Sequence, residues 1–358
     1  MALVNVALAT PSGRDGSPDL AKLEELALHL AGSRDEKGAR MLDGLVVSGT
    51  TGGNFDYTLE QNIAVLDRVG ALRREGKIPA NVRLIAGVGW DTTDGAKALI
   101  DAATKAGYDE VMLRPPTGNM SAQDLFTSYY RPLISHSPLP VYVYNIPQKT
   151  GFELPFKVLA LIGEDAGLRG NTAGIKDSSP DFKERFRVYA TKFPWLSVYC
   201  GNDTLMLSAL EGFHADDIFF KAAGVTSGMA NMFLPVVHEL ARSVENGNTR
   251  GALRMQHTLQ EAIDSTRPHE ISFMAALCRF GPGQGPTLST SRLDDVGMER
   301  CVARIASIGD ADVRKLVVRC LTDLPFESTW KKRLMDLSPL ETLQIEPPNN
   351  RTRTTRKA

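Results

Sequence analysis

Val141-Tyr142-Val143-Tyr144-Asn145 begins a stretch that closes on Gly174-Ile175-Lys176-Asp177, with Phe156–Ile162 between them carrying apolar residues at helical spacing. Two β-rich runs joined by an amphipathic helix form a strand–helix–strand unit, and strands joined by so long a crossover run parallel. The unit repeats in both directions. Toward the N-terminus lie the runs Leu3–Ala9, Gly44–Ser48, Arg83–Val88 and Glu110–Arg114, and toward the C-terminus Leu196–Cys200 and Gly224–Ser227. Helical patterns separate them at Leu20–Leu30, Leu59–Arg74, Thr93–Ala106, Ala122–Ser135, Phe182–Thr191 and Leu205–Glu211. Eight strands alternating with helices predict an α/β fold, a (β/α)8 TIM barrel, because eight parallel strands can close without leaving an edge. A doubly wound open sheet would want a glycine-rich turn after the first strand, and Thr10-Pro11-Ser12-Gly13 is not one.

Beyond Asn231 the strand pattern stops, and Leu234–Glu245, Arg250–Ile263, Ile271–Cys278 and Met298–Ile308 read as helices. The expected organisation is a barrel with the active site over 1–232, a helical C-terminal subdomain over 233–335, and a disordered basic tail over 336–358. With 358 residues, 42% of them hydrophobic, the chain can bury a sizeable core and needs no disulfide or metal staple. Its 41 Lys+Arg against 42 Asp+Glu leave no basic excess for a phosphate backbone, so nucleic acid is not an expected partner. Cys200, Cys278, Cys301 and Cys320 form no CxxC pair, which argues against a zinc site and fits a reducing compartment. No apolar run approaches the roughly 18 residues of a membrane span. Met1–Thr10 reads as a first strand and not a signal peptide, so the expected location is cytoplasmic.

In a barrel the reactive groups sit at the C-terminal strand ends. Strand two runs into Ser48-Gly49-Thr50-Thr51-Gly52-Gly53, whose backbone N–H groups and two hydroxyls suit a carboxylate. The same residues also read as a tight turn that needs glycine. Lys176, beside Ile175 at the end of strand six, would point into the barrel, where burial disfavours the ammonium and frees the amine to attack a carbonyl. A buried ion-pair lysine is the other reading of that position. Taken with Tyr144 one strand away, these groups describe a Schiff-base site for a 2-oxo acid.

The chain resembles the dihydrodipicolinate synthase/N-acetylneuraminate lyase family of class I pyruvate-dependent aldolases. The resemblance rests on Leu8-Ala9-Thr10-Pro11, Gly49-Thr50-Thr51-Gly52, Tyr144-Asn145-Ile146-Pro147 with Thr150-Gly151, Gly174-Ile175-Lys176-Asp177, Gly201-Asn202-Asp203 and Gly224-Val225-Thr226-Ser227, in the family's order. It implies that Lys176 is the Schiff-base lysine, Tyr144 the proton carrier, and Thr50 with Thr51 the carboxylate clamp and relay. It also implies that Gly49, Gly52, Gly201, Thr226 and Lys149 line the substrate, and that the subunits form a homodimer or homotetramer. No metal or cofactor is expected, since the protonated imine is itself the electron sink.

Departures narrow the reading. Gly53 stands where many members carry glutamate, Lys149 where the synthases carry an arginine for a second carboxylate, and Pro115-Pro116-Thr117 where they carry a tyrosine pair. Extra sequence lies near Ser33–Met41 and around Phe213–Lys221, the latter expected to abut the site, and the last 49 residues have no counterpart. The expected activity is an aldolase or lyase that makes or breaks a C–C bond of a 2-oxo acid of the 2-keto-3-deoxy type, with pyruvate as product or donor. Its aldehyde half is expected to be neutral or hydroxylated, within reach of Thr117, Asn119 or Lys149. A dehydratase on the same lysine, a dihydrodipicolinate synthase proper, and a disabled barrel acting as a binding protein are the alternatives. His29, His136, His238 and His257 read as filler on helices. His214-Ala215-Asp216-Asp217 is a poor metal shell, and Gly281-Pro282-Gly283-Gln284-Gly285 a poor phosphate cradle.

Overall fold

The barrel helices start where a side chain can take up a free backbone N–H. Asp19, Thr58 and Thr92 cap the helices Leu20–Gly32, Leu59–Arg74 and Thr93–Ala106, and Gln61 returns the bond to Thr58 in a capping box. Gly107, at φ +82°, ends the third in the left-handed conformation that glycine tolerates best.

The computed structural model describes residues 2–13, 15–215, 218–267, 295–325 and 329–336. Strands β1 (Leu3–Ala7), β2 (Gly44–Val47), β3 (Arg83–Val88), β4 (Glu110–Leu113), β5 (Val141–Asn145), β6 (Thr172–Asp177) and β7 (Ser197–Cys200) pair in parallel. A hairpin of β8 (Phe213–Ala215) and β9 (Ile218–Phe220) precedes β10 (Gly224–Ser227), which pairs with both β7 and β1 and closes the eight-stranded barrel. The expected TIM barrel is therefore present, its strand ends within two residues of those read from the sequence.

Alternation along each strand separates two cores. Val46, Ile85, Met112, Tyr142, Tyr144 and Tyr199 fill the barrel interior. Val47, Ala86, Leu113, Val143, Ile175 and Cys200 pack outward beneath the helices. At the N-terminal mouth Arg83 plugs the interior: its Nη1 donates to Glu110 Oε1 (3.1 Å) and its Nη2 to Asn5 Oδ1 (3.0 Å).

The extra segments lie away from the C-terminal strand ends. Ser33–Met41 connects a helix to the following strand, and so does the β8–β9 hairpin, so both belong to the N-terminal face of the barrel. Phe213 packs edge-on to Phe186 at 5.2 Å, toward the helix layer. The expectation that this insertion abuts the site is corrected by that topology. Ser33–Met41 folds through an Arg34–Arg40 bridge, with Asp35 Oδ1 accepting from Lys37 N (2.9 Å) and Ala39 N (2.7 Å). His238 ties it down, its Nδ1 3.1 Å from Met41 O and its Nε2 3.6 Å from Asp35.

Beyond the barrel, Ala230–Glu245 breaks at Phe233, ahead of Pro235, and continues into Thr249–Thr266. Asp295–Ala306 and Ala311–Thr322 pack on this pair and Thr329–Asp336 packs on those two, burying Val317, Leu321, Trp330 and Leu334 in the same continuous core as the barrel helices. The expected helix Ile271–Cys278, the Gly281–Gly285 run and the tail from residue 337 lie outside the described residues. Among the described residues no helix is long and apolar enough to cross a membrane, and Cys200, Cys301 and Cys320 are buried.

Because Leu334 is fully buried, Leu334→Ala should cost about 2–5 kcal/mol, the usual range for a leucine truncated in a core. Urea unfolding measures it; a loss below about 0.5 kcal/mol, the scale of surface substitutions, would show that the last helix is not docked.

Candidate active site

β6 turns Ile175 and Asp177 toward the helices and Lys176 into the barrel. Outside, Asp177 is fully buried and accepts from Asn145 Nδ2 (3.2 Å), Ser179 N (2.7 Å), Arg185 Nε (3.0 Å) and the Tyr189 hydroxyl. Arg185 continues to Leu154 O (2.8 Å) and Glu153 (2.9 Å). This network locks the end of β6 to helix Phe182–Lys192 and so fixes where its inward neighbour emerges. Inside, Lys176 is paired in register with Tyr144 on β5, and its Nζ lies 4.3 Å from the Tyr144 ring centroid. Both are buried, at 5% and 6% exposure. The lysine thus packs on an aromatic face, and among the described residues it has no carboxylate salt bridge.

The lysine has room because residue 201, at the end of β7, lacks a side chain. A Cβ on Gly201 would lie 2.6 Å from Lys176 Cε and 2.2 Å from Ser178 Oγ. Ser178 Oγ donates to Gly201 O (3.0 Å) and lies 3.4 Å from Tyr144 Oη, so a hydroxyl stands beside the phenol. Gly174, two residues before the lysine, gives the Tyr142 ring the same clearance below, where a Cβ would lie 2.7 Å from it.

The threonine loop is built with strain. Ser48 adopts φ +57° and is buried, and its Oγ donates to Asn62 Oδ1 at 2.6 Å. Asn62 Nδ2 lies within 3.0–3.3 Å of the carbonyls of Asn54, Tyr57 and Thr58, clasping the loop from behind. A left-handed non-glycine residue held this firmly is the kind of cost found at functional sites. The loop brings Thr50 to the cleft that also holds Lys176 and Tyr144. Thr50 Oγ1 and Thr226 Oγ1 are buried without a hydrogen-bond partner among the described residues. Unmet buried hydroxyls at a strand end are groups in need of a ligand.

Each expected residue has a definite place. Lys176, Tyr144, Thr50 and Gly49 line one cleft. Thr51 faces the end of β10, its Oγ1 3.2 Å from where a Cβ on Gly228 would sit. Gly52 packs beneath the loop, where a Cβ would meet Leu8 O at 3.0 Å and Thr10 Oγ1 at 3.1 Å. Lys149 is exposed on the short helix Pro147–Thr150, outside the lining of the cleft. Thr117 donates its hydroxyl and its backbone N–H to Asp91 and is not turned to the cleft as expected. The pair Asp216-Asp217 of the weak metal motif lies outside the described residues, and among the described residues no cluster is built to hold a metal ion.

Two groups had been given no role from the sequence. Asp203 accepts from Ser227 Oγ (2.5 Å) and Met229 N (3.4 Å); burial pushes its carboxyl up, against those bonds and the nearby charge of Lys176. Arg114 follows β4 and enters the cleft at 4% exposure. Its Nη1 donates to Asp91 Oδ1 (3.0 Å) and Pro115 O (2.8 Å), its Nη2 to Gly89 O (3.0 Å), and its plane lies 4.0 Å from the Phe55 ring. A charged residue at the C-terminal end of the run Glu110–Arg114, where barrel sites gather, was the signal that could have found it.

The sequence profile of the Dihydrodipicolinate synthetase family matches residues 1–276. The chain is 28% identical to the 4-hydroxy-tetrahydrodipicolinate synthase of Desulforudis audaxviator over 291 residues, 79% of this chain and 89% of that protein. It is 27% identical to the synthase of the same name from Bacillus subtilis over 256 residues, 72% of this chain and 80% of that one. In fold it is similar to a dihydrodipicolinate synthase of Bacillus anthracis, with TM-score 0.70 and 22% identity over 86% of this chain and 99% of that one. It is likewise similar to a 2-keto-3-deoxygluconate aldolase variant of Sulfolobus solfataricus, with TM-score 0.69 and 22% identity over 90% and 99% of the two chains. With the profile covering most of its length, the chain belongs to the dihydrodipicolinate synthetase family.

Proposed function

We propose that the protein is a Schiff-base aldolase or lyase that forms or cleaves a C–C bond of a 2-oxo acid, with pyruvate as product or donor. The observation that carries this is the buried Lys176 stacked on Tyr144, without a salt bridge among the described residues, in the cleft that also holds the Thr50 hydroxyl, likewise without a partner among them. In the cleavage direction the Lys176 amine adds to the C2 carbonyl and the carbinolamine oxygen leaves as water with a proton taken from the Tyr144 phenol, giving a protonated imine and a phenolate. The C3–C4 bond then breaks, its electron pair moving into the imine, while the C4 hydroxyl gives its proton to the Tyr144 oxygen and the aldehyde departs. The resulting enamine takes a proton at C3, and hydrolysis of the imine releases pyruvate and restores the amine.

Thr50 and Thr51, with the loop N–H groups at Gly49 and Gly52, are assigned to the substrate carboxylate. Gly201 and Thr226 shape the wall beside the lysine. Ser178 and Asp203 join as partners of Tyr144 and of the β10 end. Both insertions lie on the face opposite the cleft, which favours a working enzyme over a disabled barrel. The names of the curated relatives favour a second reading, condensation of pyruvate as a 4-hydroxy-tetrahydrodipicolinate synthase. Against it stands Pro116-Thr117 in place of a tyrosine pair.

A panel of 2-keto-3-deoxy sugar acids, followed for pyruvate and for dehydrated products, tests the reading. The wild-type protein should release pyruvate. Lys176→Ala and Lys176→Arg should be inactive while keeping the native circular dichroism spectrum, since a guanidinium stays protonated and cannot attack. Tyr144→Phe should be slower by roughly 10²–10⁴-fold, the range of a positioned acid–base group. Activity surviving in Lys176→Arg would end the proposal, and dehydrated product without pyruvate would move it to a dehydratase.

Gly201→Ala tests the clearance. Its methyl would fall 2.6 Å from Lys176 Cε, so kcat should drop by about 10²-fold, the effect of displacing a reacting group by an ångström. Wild-type turnover by this variant would show that the lysine approaches from elsewhere.

A further inference from the structure

Arg114 has a use that the positions read from the sequence do not cover. Of its five N–H groups three are spent, on Asp91, Pro115 O and Gly89 O. Nε is buried and has no partner among the described residues, and one Nη2 hydrogen is unspent by those bonds. Leaving such a donor unmet is costly unless something arrives to accept it.

Three features turn that edge into a binding surface. Phe55 lies 4.0 Å over the guanidinium and Asp91 grips its far end, so its plane is fixed. Burial works to raise the Asp91 carboxyl, but bonds from Thr117 and Arg114 outweigh it and hold it below its usual range; Asp91 is thus an anchor committed to the arginine, itself half exposed to water. Asn54 converges on the same spot: a Cβ on Gly89 would lie 2.5 Å from Arg114 Nε and 2.7 Å from Asn54 Nδ2. Asn54 meets a carboxylate through Nδ2, since its Oδ1 only accepts. Glycine at 89 thus keeps open the gap between an amide and a guanidinium edge.

These groups line the cleft that holds Lys176, Tyr144 and Thr50. We propose that Arg114, with Asn54, binds a second carboxylate, at the end of the substrate remote from the Schiff base, so that the preferred 2-oxo acid or aldehyde partner is anionic. This rests on the Schiff-base reading above. It revises the expectation of a neutral aldehyde half, which followed from the lack of an arginine at position 149. Arg114, from β4, supplies the planar donors that a single flexible ammonium lacks.

The test is borohydride trapping on the full chain with pyruvate, with the dicarboxylates 2-oxoglutarate and 2-oxoadipate, and with the neutral-tailed 2-oxopentanoate and 2-oxohexanoate. Half-saturating concentrations for adduct formation, read by intact mass, give a ratio of neutral-tailed to dicarboxylate compound. In wild type the ratio should exceed about tenfold for at least one pair, as expected of a charge-assisted bond. Arg114→Gln should bring it to about one and Arg114→Lys should lower it severalfold, while Lys149→Gln should leave it in place. Because each ratio is internal to one protein, a partly impaired variant still reports; if a variant does not fold, the wild-type ratio decides. A wild-type ratio near one, a ratio that survives Arg114→Gln, or one lost only in Lys149→Gln would overturn the proposal. Pyruvate adducts without the preference sink this inference alone, whereas no adduct with pyruvate sinks the Schiff-base reading and this one with it.

Discussion

A primary amine inside a closed barrel has to be accommodated without the water that would otherwise solvate it, and that constraint organises the upper half of this molecule. The usual solution, a carboxylate beside the ammonium, would tie up the nitrogen. Here the Tyr144 ring stands 4.3 Å from Lys176 Nζ, and the carboxylate next in sequence, Asp177, is turned outward and consumed by Arg185, Tyr189 and Asn145. The single-residue alternation of β6 makes the separation: one residue serves the chemistry, and the next fastens the strand from which it projects. Glycine at 201 then keeps the volume around the lysine free.

The barrel divides its two ends between different tasks. At the C-terminal end, the Thr50 and Thr226 hydroxyls, the Asn54 amide oxygen and Arg114 Nε are buried without a partner among the described residues, and there too lies Ser48, the one non-glycine residue at positive φ among those described. The N-terminal end is closed by Arg83, Glu110 and Asn5, and both insertions belong to it. His238 ties the Ser33–Met41 loop to the C-terminal helices, and those helices share a core with the barrel. Additions that belong to the stabilising face leave the reactive face unaltered.

Much of this was legible in the sequence because parallel strands buried on both faces read as short apolar runs between helices. The bounds of β3, β5 and β10 could be read off directly, and Lys176, Tyr144 and Thr50 stood out as polar residues at strand ends. The same continuous apolar character hides which residues face inward, so Arg114 passed as the last residue of a strand. Its importance depends on Phe55, Asp91 and Gly89, which come from two other strand ends and meet it only after closure. Lys149 shows the converse: its place in a motif suggested a substrate contact, but a short helix turns it to solvent. The hairpin Phe213–Phe220 carried no periodicity long enough to declare itself, and its distance from the site follows from topology, since a segment leading into a strand lies at that strand's N-terminal end.

The account therefore turns on whether Lys176 is the nucleophile that the cleft is built around. Reduction of the protein with borohydride in the presence of pyruvate, followed by protease digestion and peptide mass mapping, answers this directly. The account predicts a single reduced pyruvyl adduct on the peptide that contains Lys176, suppressed in Tyr144→Phe less than in Gly201→Ala. A folded wild-type protein that gave no adduct, or carried it on another lysine, would contradict it.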